Sequence, residues 1–128
     1  MTRRILIVDD EPNIVASLEF LMRGDDYDVR VAHNGEEALL LAERFRPDLV
    51  LLDVMMPRRS GFDVCRRIRE NPALRDMKIV ILTARGRDVE REKGLKSGAN
   101  AYVTKPFSTK ELMITVRGLL PGRGRTDR

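Results

Sequence analysis

Asp9, Asp10, Asp53, Thr83 and Lys105 are the residues whose types and spacing could do chemistry. Each follows a short, largely apolar run: Ile5-Leu6-Ile7-Val8, Leu49-Val50-Leu51-Leu52, Ile79-Val80-Ile81-Leu82 and Ala101-Tyr102-Val103-Thr104. Runs of that length fit strands buried on both faces, as in a parallel sheet covered by helices. Parallel strands present the same end to the same side, so residues distant in the chain can line one cleft there. Three carboxylates brought that close repel and raise one another's pKa unless a cation sits among them. Carboxylate, carbonyl and water oxygens suit a hard octahedral ion, which points to Mg2+, with Mn2+ as a chemical substitute. With one histidine (His33) and one cysteine (Cys65), a zinc site has little support.

Carboxylates with a divalent cation, one lysine and one hydroxyl meet the needs of phosphoryl transfer. The metal and Lys105 would neutralise the transferring oxygens, and Thr83 would donate a hydrogen bond to one of them. Asp53 is the candidate nucleophile, being the lone carboxylate at the end of the expected central strand, while Asp9 and Asp10 are placed to hold metal. Taken singly, an aspartate can simply cap a helix or end a strand. The set of five in one cleft is what argues for chemistry.

Elements must position these groups, and the order strand, helix, strand recurs along the chain. Arg4 to Val8 reads as a strand. Pro12 suits a first helical turn, Asp10 or Glu11 can cap or favour its amino end, and Ile14, Val15, Leu18, Leu21 and Met22 give the helix 12–23 one apolar face. Tyr27 to Ala32 alternates as an edge or second strand; His33-Asn34-Gly35 turns into a helix from Glu36 to Phe45, with Ala38, Leu41, Ala42 and Phe45 inward. Leu49 to Asp53 is the central strand, Gly61 to Glu70 an amphipathic helix broken by Asn71-Pro72, and Lys78 to Thr83 another strand. Arg87 to Ser97 is a charged, weakly apolar helix in which Gly94 costs about 1 kcal/mol of helix preference. Ala101 to Thr104 is the last strand, and Ser108 or Thr109 caps a final helix packed through Leu112, Met113, Val116, Leu119 and Leu120. Five strand-helix pairs imply a parallel sheet with helices on both faces.

At 128 residues the chain accommodates one domain, expected over residues 1–120, with 121–128 as a flexible basic tail or the start of a linker. The longest apolar runs are far below the roughly 20 residues needed to span a bilayer. Neither a signal peptide nor a membrane segment is expected, and a single cysteine is compatible with a reducing cytoplasm. The net charge of +4 is scattered, with no aromatic residues interleaved among the arginines, so direct nucleic acid binding is not expected. His33 reads as a surface loop residue and Cys65 as a small helix residue.

The stretches Ile5-Leu6-Ile7-Val8-Asp9-Asp10-Glu11-Pro12, Leu51-Leu52-Asp53-Val54-Met55-Met56-Pro57 with Gly61, Thr83-Ala84, and Tyr102 with Lys105-Pro106-Phe107 together resemble the receiver domain of two-component response regulators, over residues 4 to about 120. The resemblance implies a flavodoxin-like (βα)5 fold with a five-stranded parallel sheet of order 2-1-3-4-5. It also implies that Asp53 accepts a phosphoryl group from the phosphohistidine of a sensor histidine kinase or histidine phosphotransfer protein. Asp10 and Asp53 would bind Mg2+ directly with the backbone carbonyl of Met55, and Asp9 mostly through water. Thr83 and Lys105 would contact the phosphoryl oxygens, Tyr102 would be a switch aromatic that swings inward as Thr83 moves, and the Lys105–Pro106 peptide would be cis. Phosphorylation would then reset the face formed by the last two helices and last strand, which would meet an output domain, a target protein or a second copy of the chain.

Met55 and Arg85 lie two residues past Asp53 and Thr83 and depart from the best-known family pattern. An apolar group and a long cation there are expected to shield an acyl phosphate rather than activate water, giving a long-lived phosphoryl state. Two other readings remain at this stage. One is a phosphatase or mutase with an aspartyl nucleophile, although such enzymes commonly need a second acid where Met55 stands. The other is a pseudo-receiver that is never phosphorylated and acts as an interaction module. The leading expectation is a module that performs only its own phosphotransfer and autodephosphorylation, with no separate turnover substrate.

Overall fold

The structure is a computed structural model, and it describes residues 2–56, 60–84 and 98–120. Among these, the strands are β1 (Arg4–Val8), β2 (Asp28–Ala32), β3 (Leu49–Asp53), β4 (Lys78–Ala84) and β5 (Ala101–Lys105). The helices are α1 (Pro12–Gly24), α2 (Gly35–Phe45), α3 (Gly61–Glu70) and α4 (Thr109–Leu119). The helix expected over 87–97, the side chain of Arg85, Pro57 and the tail 121–128 lie outside the described residues.

All five strands are parallel, in the order β2-β1-β3-β4-β5 of the flavodoxin-like fold. Side chains of a strand alternate between faces, and the two halves of the core follow that alternation. Ile5 and Ile7, Leu49 and Leu51, and Val80 and Leu82 pack with Leu18 and Met22 of α1 and Leu112, Met113 and Val116 of α4. Leu6 and Val8, Val50 and Leu52, and Ile79 and Ile81 pack with Ala38 and Ala42 of α2 and Val64, Cys65 and Ile68 of α3. The central strand β3 is buried along its whole length, as its unbroken apolar run requires.

Short polar residues set the helix starts. Asn34, Ser60 and Ser108 each accept a hydrogen bond from the backbone N–H three residues on, from Glu37, Asp63 and Glu111 respectively. Of the two candidate caps for the final helix, Ser108 is therefore the one used. Helix α1 differs: Glu11 occupies its capping position but makes no side-chain cap bond, and Pro12 opens the helix. Glu11 thus stands where the sequence allows a cap, while its carboxylate lies 3.9 Å from an ammonium described below. At the other end, buried Asp25 binds Arg117 of α4 in a bidentate pair, with both N–O distances 3.0 Å, and so ties the ends of two helices on one face.

Candidate phosphoacceptor site

Strand register brings the acids together. Val8 of β1 is paired with Leu52 of β3, so Asp9 and Asp53 follow at adjacent positions on neighbouring strands. Asp9 shares the alternation of Ile5 and Ile7, Asp53 that of Leu49 and Leu51, and Lys105 that of Val103. All three therefore project on the α1/α4 side. Asp9 is wholly buried, Asp53 is 5% exposed, and Asp10 is exposed at the rim. One carboxylate oxygen from each lies within 4.8 Å of the others.

Lys105 reaches into this cluster from the end of β5. Its Nζ lies 3.0 Å from Asp9 Oδ2, 3.5 Å from Asp53 Oδ1 and 3.9 Å from Glu11 Oε1. Main-chain donors hold the acids in place: the Glu11 N–H donates to Asp9 Oδ1 at 3.0 Å, and the Met55 N–H donates to Asp53 Oδ1 at 3.2 Å. The Asp9 N–H itself donates to the Ala32 carbonyl at 3.2 Å. The Asp53 backbone is pinned by its neighbours, since the Val54 N–H donates to the Leu82 carbonyl and the Gly61 N–H donates to the Val54 carbonyl. A Cβ at position 61 would stand 2.8 Å from Val54 Cα and overlap the Asp53 carbonyl. Only glycine lets α3 begin against the backbone of the acid.

Electrostatics follow from burial. Desolvation, then the charge of Asp9, pushes Asp53 up from 3.8 to about 6, although Lys105 and the Met55 N–H pull it back. Burial alone would lower Lys105, but its hydrogen bond to Asp9 and the charges of Asp53, Asp9 and Glu11 hold the ammonium above its ordinary 10.5. A carboxylate whose ionisation is disfavoured by burial and a neighbouring carboxylate gains from a divalent cation, and three oxygen ligands within 4.8 Å suit a hard ion of the Mg2+ kind. The donor set fits that metal.

The remaining sequence-predicted residues stand around this cluster. Thr83 is buried one position beyond Leu82, which is paired with Asp53. By alternation it belongs with Ile79 and Ile81 on the α2/α3 side. Tyr102 is partly buried on that side too, packed against the cluster containing Ile81 and Val64, with its hydroxyl oxygen out of solvent. Met55 contributes its backbone at the site while its side chain is exposed. The Lys105–Pro106 peptide is cis. His33 is exposed, with Nδ1 3.2 Å from Glu37, and Cys65 is buried within α3. Two residues escaped the sequence reading in these roles: Glu11, read there only as able to cap or favour a helix start, and Gly61, read as a helix start and part of a pattern. The third acid in Asp9-Asp10-Glu11 was the available signal for the first.

A family model, the response regulator receiver domain, matches residues 5–117. This chain belongs to that family. Receiver domains are modules of two-component signalling, and solved structures agree over nearly the full length. A Chloroflexus aurantiacus protein assigned as a response regulator is 38% identical, covers 94% of this chain with 98% of its own, and superposes with a TM-score of 0.91. The Vibrio cholerae chemotaxis protein CheY4 is 28% identical, with 94% and 100% covered and a TM-score of 0.87. The receiver domain of a Pseudomonas aeruginosa sensor histidine kinase, solved with a magnesium ion coordinated in its active-site cleft, is 33% identical, with 93% and 98% covered and a TM-score of 0.85. Among the described residues of this receiver domain, no helix is long and apolar enough to cross a membrane.

Proposed function

We propose that this receiver domain accepts a phosphoryl group on Asp53 from the phosphohistidine of a sensor histidine kinase or histidine phosphotransfer protein, in a Mg2+-dependent reaction. The observation that carries this reading is the buried Asp53 carboxylate, 3.5 Å from Lys105 and grouped with Asp9 and Asp10. A carboxylate oxygen of Asp53 attacks phosphorus, the P–N bond to the imidazole breaks, and an acyl phosphate remains on Asp53. Asp9, Asp10, Asp53 and the Met55 carbonyl would hold Mg2+, for which Mn2+ can substitute. When bound, the metal supplies positive charge that favours the ionised carboxylates and offsets charge on the transferring oxygens.

Lys105 provides the chain's own cation for those oxygens, and Thr83 a hydroxyl donor. Because Thr83 and Tyr102 share the α2/α3 side of neighbouring strands, a shift of Thr83 toward the phosphoryl group is felt by the tyrosine ring. The face carrying β5 and α4 then regulates an output domain, a target protein or a second copy of the chain. The domain turns over only its own phosphoryl group, in the cytoplasm. Intact mass after incubation with acetyl phosphate and Mg2+ tests the reading. One added phosphoryl group, absent with EDTA and absent in Asp53→Ala, is the expected result; no adduct, or an adduct mapped to another residue, overturns it.

A further inference from the structure

Lys105 has a third acidic neighbour besides Asp9 and Asp53. Glu11 Oε1 lies 3.9 Å from Nζ, and the Glu11 side chain is 66% exposed while those of Lys105 and Asp53 are 19% and 7% exposed. Its carboxylate is therefore at the rim, outside the clustered oxygens of Asp9, Asp10 and Asp53. The position is set by the main chain: the Glu11 N–H is held by Asp9 Oδ1, and Pro12 begins α1 immediately after. The side chain makes no cap hydrogen bond to the helix. Its one described polar neighbour is the ammonium that an incoming phosphoryl group must reach.

An anion that contacts Lys105 Nζ meets an ammonium with the Glu11 carboxylate 3.9 Å away on its exposed side. We propose that Glu11 is a specificity-determining residue, a rim charge that disfavours small anionic phosphodonors and so reserves Asp53 for a phosphoryl group delivered on a protein. This rests on the phosphoacceptor reading above. A protein donor gains affinity from surface contacts away from the rim, whereas a small molecule has only its charged end to bind with and bears the whole repulsion. The reaction is unchanged in kind: the P–O bond of acetyl phosphate breaks, acetate leaves with the electron pair, and a P–O bond to Asp53 forms.

In water, two unit charges at an assumed separation of about 6 Å interact by roughly 0.7 kcal/mol, so one rim charge would change the approach of each donor charge by roughly threefold at low ionic strength. The test is the initial rate of phosphoryl uptake by the full chain, read by intact mass at saturating Mg2+, for wild type, Glu11→Gln and Glu11→Asp. Acetyl phosphate and the less charged phosphoramidate serve as donors, each at low and at high salt. Glu11→Gln is expected to take up phosphoryl from acetyl phosphate at least threefold faster at low salt, with a smaller gain from phosphoramidate and a gain that fades at high salt. Glu11→Asp, which keeps the charge, stays near the wild-type rate. An unchanged rate in Glu11→Gln, a gain independent of salt and donor, or an equal gain in Glu11→Asp overturns the inference while leaving the phosphoacceptor reading intact. A chain that neither donor labels at Asp53, in wild type or in Glu11→Gln, overturns both.

Discussion

Replacing Asp53 with asparagine should stabilise the fold while abolishing its chemistry. The carboxyl is pushed from 3.8 to about 6, first by burial and then by Asp9. A carboxyl whose folded pKa exceeds its unfolded value binds more protons in the native state. Stability therefore falls as pH rises from about 4 to about 6, and the full cost is present above that window. At 1.36 kcal/mol per pH unit the cost is about 3 kcal/mol. Asparagine has nearly the same shape, keeps an acceptor for the Met55 N–H, and leaves Lys105 its 3.0 Å contact with Asp9. That shift is already net of the attraction between Asp53 and Lys105, so Asp53→Asn should be more stable than wild type by up to about 3 kcal/mol at pH 7.5. Urea unfolding followed by far-ultraviolet circular dichroism, in EDTA, at pH 4.5, 6 and 7.5 measures this. The advantage should be largest at pH 7.5 and small at pH 4.5. Added Mg2+ should narrow it by stabilising wild type more than the variant. Equal stability at pH 7.5, or an advantage that persists undiminished at pH 4.5, would refute the account of Asp53 as a carboxylate held at an energetic cost.

Other substitutions probe the supports of the site. Gly61→Ala drives a Cβ against the Asp53 and Val54 backbone and should cost about 1–3 kcal/mol, seen as a lower Tm; an unchanged Tm would show that α3 can move aside freely. Arg69 of α3 donates to the carbonyls of Gly98, Arg75 and Met77 and to Asn100 Oδ1, and Asn100 in turn pairs with Ile79 at the start of β4. Arg69→Met should destabilise by about 3 kcal/mol and raise amide exchange at Ile79 and Asn100; exchange confined to α3 would count against a clamp linking these segments. Met55 exposes an apolar side chain beside the acceptor, so Met55→Asn, which can orient a water, should shorten the lifetime of phosphorylated Asp53 by about tenfold. An unchanged decay of the mass adduct would remove Met55 from the control of hydrolysis.

The strands and the acids at their ends were legible because both signals are local. A run such as Leu49 to Leu52 between aspartates admits few structures, and β3 and α3 have the bounds that the sequence predicts. Asn34 shows where local signals blur, since the cap, not the turn glycine, starts α2, which therefore begins at Gly35. Glu11 does stand at the capping position of α1, as the sequence allows, but nothing local says that a lysine from β5 lies 3.9 Å from its carboxylate.

By itself the sequence determined that Asp9, Asp10, Asp53, Thr83 and Lys105 end strands of one parallel sheet, because apolar runs and turn residues report backbone state along the chain. Only the tertiary structure decided their relations. Register set Asp9 beside Asp53, alternation sent Lys105 to their side and placed Tyr102 across the sheet from it, and burial raised the Asp53 pKa. Distance and desolvation are properties of groups far apart in the chain, such as Lys105 and Asp9, and exist only once the sheet has brought them to one edge.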